Sequence, residues 1–115
     1  MSEKQLTGKD LQKYIKDKMA ELIIVAVDGH KLQANRKARS YMIDAIQGAQ
    51  VIGANTVDWV LANNTIQTLT IDQLRHAITL GIQAEGQIIM RAKQGRLTFD
   101  DLRLAQSEYE QATKP

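Results

Sequence analysis

The chain has no cysteine. Disulfides, thiolate metal sites and thiol catalysis are excluded together, and a reducing compartment is the natural setting. Aromatic residues are only 4% of the sequence, so the core has to be built from Ile, Leu, Val, Ala and Met, and few flat rings are left for stacking nucleotides or sugars. Long apolar runs are missing as well. The longest, Leu22 to Val27, falls far short of the roughly 20 residues that cross a bilayer as a helix. Met1 to Lys18 alternates Lys with polar residues, and no secretory signal is readable there. These absences lead us to expect a soluble protein made in a cytoplasm, in which the sequon Asn63-Asn64-Thr65 has no meaning. The glycines are isolated, with no GxGxxG or Walker spacing, which argues against nucleotide binding. Net charge is only +2 and the basic residues are dispersed, so a nucleic-acid partner is not demanded.

What is present fits one compact unit. The 115 residues suffice for a single core, and 43% apolar with 24% charged residues is ordinary for a globular domain. Three segments open with Thr followed three residues later by Asp or Gln, the pattern of a hydroxyl capping the orphan amides of a helix start: Thr7 to Asp10, Thr70 to Gln73 and Thr98 to Asp101. After the first, Leu11, Ile15, Met19 and Leu22 recur at helical spacing, which predicts a helix over about 8–21. The run Leu22 to Val27 then meets Asp28-Gly29, a strong two-residue hairpin signal, although the first helix could also extend into it. From Asn35 as N-cap, the residues Ala38, Met42, Ala45, Ile46 and Ala49 mark a second helix fading near Gly53, with Arg36, Lys37 and Arg39 on its outer face.

A second hairpin is predicted around Asn63-Asn64, because Asn tolerates the positive φ of a tight turn. If that pair is the turn, Leu61 opposes Ile66 and Trp59 opposes Thr68, all on the core side. The longest helix follows over about 71–94, with Gly95 as its C-cap. Projected at about 100° per residue, its apolar positions fill an arc of roughly 200°, with Glu85 the one intruder. An arc that wide predicts a central helix packed on two sides, by the hairpin on one and by another helix or subunit on the other. A last helix runs from about Phe99 to Ala112. The expected fold is α+β and mainly helical: about four helices, with one or two short β-hairpins packed on a long central helix. No internal repeat, proline-rich linker or low-complexity tract interrupts it. We divide it into an N-terminal basic helix (1–21) that could dock a partner, a core (22–95) and a C-terminal helix with a tail (96–115).

Little in the chain assembles into a reaction centre. His30 reads as a solvated turn residue, and His76 falls on the polar side of the long helix. Asp100-Asp101 could be paired carboxylates, but in a first helical turn they serve the exposed amides and the dipole. Glu85 either pairs with a basic residue at an interface or marks where the apolar arc meets solvent. Trp59 reads as the largest core residue, lying over the long helix, rather than as a partner anchor. No nucleophile, base and orienting group come together, so we expect no enzyme, no cofactor and no metal.

The ordered set Val27-Asp28-Gly29-His30, Asn35, Arg39-Ser40, Ile43, Ala45, Thr56-Val57-Asp58-Trp59, Leu61-Ala62-Asn63-Asn64-Thr65, Thr68-Leu69-Thr70 and Gln73-Leu74 resembles an uncharacterised domain of tailed-bacteriophage tail proteins. That domain is usually seen in tail-fibre or fibre-associated polypeptides. The likeness spans about Val25 to Lys93. It implies a structural, non-enzymatic role in the virion or its assembly, with other tail proteins as partners and no catalytic residues to carry over. Family members usually carry this domain on a longer tail protein. This chain begins with its own Met1, which points to a small accessory component of the tail tip, baseplate or fibre attachment, made in the host cytoplasm.

Together these features lead us to expect a homo-oligomeric tail adaptor with no small-molecule substrate and no membrane contact. Its expected core anchors are Trp59, Leu61, Ile66, Leu74 and Ile78, and its expected interface is Leu80, Ala84, Glu85 and Ile88. The rivals are a tail-fibre assembly chaperone absent from the virion and a small nucleic-acid-binding regulator using Arg36, Lys37, Arg39 and the N-terminal lysines.

Overall fold

A computed structural model describes residues 8–115. In chain order the elements are α1 (Gly8–Glu21), β1 (Ile24–Val27), β2 (His30–Gln33), α2 (Arg36–Val51), β3 (Thr56–Val60), β4 (Ile66–Thr70), α3 (Ile71–Lys93) and α4 (Phe99–Thr113). Four helices with two separate antiparallel hairpins make this the mainly helical α+β fold expected.

Local chemistry sets the element ends. Thr70 and Thr98 each accept the N–H of the third helical residue, while Gln73 and Asp101 reach back to the cap amide, completing two capping boxes. The pair expected at Thr7 lies outside the described residues. Asn35 accepts the Ala38 N–H at 2.8 Å and donates to the Glu21 carbonyl at 3.2 Å, so one side chain starts α2 and ties it to the end of α1. At the other ends, Gly53 and Gly95 adopt φ of +72° and +69°. There the Ala54 N–H returns to Ala49 O and the Arg96 N–H to Arg91 O, satisfying carbonyls that helices leave orphaned.

The first hairpin turns on Asp28 and Gly29, both at positive φ, and pairs Val27 with His30. The second hairpin departs from expectation. Its register pairs Val60 with Ile66 and Trp59 with Gln67, one residue away from the predicted Leu61 opposite Ile66 and Trp59 opposite Thr68. The cause is the loop. Only Asn64 has positive φ, the Leu61 N–H bonds Thr65 O at 2.7 Å, and Asn63 caps the Thr65 N–H, so three residues turn the chain where two were expected. A one-residue slip reverses which face a side chain takes. Ile66, expected as a core anchor, is therefore 71% exposed, and Leu69 is buried in its place.

The long helix α3 runs through the middle, meeting α1, α2, β1 and β4. Its buried line is Leu74, Ala77, Gly81, Glu85 and Ile88. The core around it takes Ile15 from α1, Met42 and Ile46 from α2, Val25, Val27 and Leu32 from the first hairpin, and Leu97 and Leu102 from the last segment. The terminal helices thus share the core of the middle segment. A side-chain clamp reinforces this: the Gln12 amide donates to Leu97 O and accepts the Leu97 N–H, both at 2.9 Å. The chain itself covers much of the wide apolar arc, while Ile82 remains 56% exposed.

Candidate functional site

Glu85 is the one acid that α3 turns inward, and it is 7% exposed. Arg39 donates to it at 2.5 Å and Arg36 at 2.7 Å, both from the first turns of α2. Arg39 is itself buried, and its other arm donates to the Ala34 carbonyl at 2.7 Å. Burial alone would raise the Glu85 pKa, but the hydrogen bonds and charges of Arg39 and Arg36 outweigh it and hold the carboxyl below the usual range. The carboxylate is fully engaged in joining α2 to α3. Gly81 makes that junction possible: a Cβ there would sit 2.6 Å from Ala34 O and 3.0 Å from the Arg39 side chain.

This cluster corrects three expectations. Arg39 is not on an outer face, because a buried partner 46 residues away claims it. Glu85 and Ile88 are not interface residues, since both are buried within the chain. Leu80 and Ala84, also expected at an interface, are half-buried against the core. Of the expected anchors, Leu74 is fully buried, and Ile78, Leu61 and Trp59 are half-buried and packed on the core. Trp59 packs on the core and lines a groove with Ala38 and Tyr41 of α2.

The acids and histidines singled out in the sequence have structural duties or stand apart. Asp28 accepts a hydrogen bond from Gln73 at 2.9 Å, linking the first turn to the capping box of α3. Asp58 accepts from Thr68 across the second hairpin at 2.7 Å. Burial works to raise the Asp101 pKa, but the bonds it accepts from Thr98 and Arg91 outweigh that and lower it. His30 opens β2 and His76 is exposed on α3. With Arg36 and Arg39 committed to Glu85, Lys37 alone of that basic trio is unpaired among the described residues.

Open apolar side chains are spread over the surface, the most exposed being Val51, Ile52 and Ile66, and three of them, Tyr41, Val60 and Ile66, lie on α2 and the second hairpin. Tyr41 is 55% exposed and Val60 54%, and Val60 pairs across the strands with the open Ile66. A groove of about 460 Å³ runs between them, lined by Gln33, Ala38, Tyr41, Trp59, Val60 and Leu61. A larger groove of about 850 Å³, lined by residues including His30, Lys31, Glu108 and Lys114, lies between the first hairpin and α4 and is of mixed charge. The Tyr41–Val60 surface went unseen in the sequence because Arg39 looked like a surface residue. Once Arg39 joins Met42, Ile46 and Ala49 on the buried line, Tyr41 and Ile52 fall outside it, and apolar residues off the buried arc were the available signal.

No protein-family description, curated protein or solved structure matches the chain.

Proposed function

We propose that the chain is a non-enzymatic structural or adaptor protein of a bacteriophage tail, acting at the tail tip, the baseplate or the fibre attachment by binding other tail proteins. The observation that carries the protein-binding part is the clustered exposure of Tyr41, Val60 and Ile66 on one hairpin and its neighbouring helix. Exposed apolar side chains that neighbour one another across two strands, as Val60 and Ile66 do, are what interaction sites present. The acids that a reaction centre would draw on, Glu85, Asp58 and Asp101, are engaged in pairs that hold elements together. The assignment to a tail comes from the likeness of the segment Val25 to Lys93 to the tail-protein domain.

The test is affinity capture with the tagged chain from cells assembling particles of the genome that encodes it. Tail proteins should be retained, and the double variant Tyr41→Ser and Ile66→Ser should lose them while keeping its helical circular dichroism. Retention of no tail protein by the unaltered chain rules the proposal out.

A further inference from the structure

We infer that the groove between α1 and the C-terminal end of α3 seats an acidic amphipathic helix of a partner protein. The inference rests on the reading of the chain as a protein-binding component. It uses none of the residues at Tyr41, Val60 and Ile66, and it does not need the tail assignment.

The distribution of charge carries it. The formal net charge of the chain is only +2, yet Lys9, Lys13, Lys16 and Lys93 together line one groove of about 660 Å³, and no acid lines it. Asp10 and Asp17 each follow a lysine of this row by one residue, about 100° further round the helix, and so fall to its side. Lys13 and Lys16 share the single carboxylate of Asp17, at 2.6 Å and 4.0 Å. Lys9 and Lys93 have no ion pair among the described residues. The remaining polar side chain in the groove is Gln12, and both ends of its amide are held by Leu97. That clamp also fixes α1 against the segment after α3, so the groove is formed before anything enters it.

Floor and length select the occupant. Ile89 and Ala92 are half-buried and give the groove an apolar floor, while Lys9, Lys13 and Lys93 stand exposed at its rim. Covering that floor favours a ligand with an apolar side as well as negative charge. Along α1 the lysines are spaced by four and then three residues, a row of about 10 Å that matches carboxylates recurring once per turn on a helix laid alongside. Past Lys16 and Ile89 the groove continues into a hollow of about 610 Å³ that ends at Arg36 and Lys37. The two follow α1 from Lys9 to Glu21, about 18 Å or three helical turns, the reach of a helix in a groove rather than of a small anion. Asp17 and Glu21 line the second hollow, so the acidic part of the incoming helix belongs at the Lys9 end. A nucleic-acid strand would leave the floor uncovered, and no aromatic residue lines the groove to stack a base. A membrane would need Ile89 and Ala92 to stand out beyond the rim lysines, whereas they are the more buried.

Fluorescence anisotropy with a labelled synthetic peptide provides the test. The probe is an amphipathic helix with a glutamate once per turn beside a leucine stripe, compared with a scramble of the same composition. The full chain should bind the helix with a Kd on the order of 10–100 μM, and the scramble about tenfold or more weakly. Lys9→Glu with Lys93→Glu should weaken binding by about tenfold or more, with circular dichroism reporting the fold. Lys31→Glu with Lys114→Glu, an equal charge change at the groove beside α4, should leave it within about twofold. Tyr41→Ser with Ile66→Ser should not alter it, so a chain that seats the peptide but captures no tail protein counts against the tail reading alone. No binding at about 1 mM peptide, equal binding of the scramble, or indifference to the reversal of Lys9 and Lys93 overturns the proposal. Tighter binding of a DNA duplex or of phosphatidylglycerol vesicles overturns it as well, because the groove would then serve phosphate rather than a carboxylate-bearing helix.

Discussion

Replacing Glu85 with Gln changes little in shape and removes the charge that α2 and α3 share. The size of the effect follows from how differently its two partners are solvated. The Arg39 side chain is 11% exposed and that of Glu85 9%, so their contact is desolvated, whereas the Arg36 side chain is 79% exposed. Breaking a buried pair by neutralising one member typically costs about 3–5 kcal/mol, because the other charge is left uncompensated. An arm in solvent contributes about 0–1 kcal/mol. Glu85→Gln should therefore lose about 3–5 kcal/mol, a large share of the roughly 5–15 kcal/mol that holds a domain folded. Arg39→Ala should cost a similar amount, Arg36→Ala less than about 1 kcal/mol. The apolar pair Arg39→Met with Glu85→Leu should be more stable than either single neutralisation. Urea titration followed by the fluorescence of Trp59 measures all of these. The folded-state pKa of Glu85 is depressed below its ordinary 4.5. Its stabilisation is thus present above that value and lost as pH falls through the folded pKa, and the gap between unaltered chain and Glu85→Gln should narrow on acidification. A Glu85→Gln protein within about 1 kcal/mol of the parent at neutral pH, or an Arg36→Ala loss equal to that of Arg39→Ala, would show that the buried contact does not dominate.

Further outcomes follow from the same packing. Gly81→Ala should destabilise by about 1–3 kcal/mol, since the clash with the Ala34 carbonyl outweighs the gain of roughly 1 kcal/mol in helix propensity; thermal melts check the sign. Ile66→Ser should shift stability by no more than about 0.5 kcal/mol, whereas Leu69→Ala should lose about 2–5 kcal/mol, a contrast that reports the register of the second hairpin. Asp101→Asn should lose about 1 kcal/mol at neutral pH. Because the Asp101 pKa is lowered, that difference should fade as pH falls below the usual carboxylate range, which denaturant titrations at several pH values would show.

Features that depend on a few adjacent residues are legible in the sequence itself. The capping boxes at Thr70 and Thr98, the cap at Asn35 and the Asp28-Gly29 turn are of this kind, and all appear where expected. The second hairpin is harder, because Asn63-Asn64 is compatible with a loop of two residues or three, and the choice reverses the faces of Ile66 and Leu69. Of the Arg39–Glu85 pair, the sequence shows Glu85 as an intruder in an apolar arc, with a basic partner as one reading, but not which residue that partner is. Arg39, charged and flanked by Arg36 and Lys37, sorts to the surface, and only the fold brings together groups 46 positions apart. The apolar arc of α3 is wide because α1, α2, β1 and β4 all pack on it, while open apolar side chains occur on several elements, among them Val51 and Ile52 at the end of α2 and Val60 and Ile66 on the second hairpin.

Quantitative mass spectrometry of purified particles, made from the genome that encodes this chain, decides whether it serves as a tail component. The chain should be present at a fixed ratio to the tail proteins and should remain with tails separated from heads. Particles that lack it, while infected cells contain it in quantity, would contradict a place in the tail.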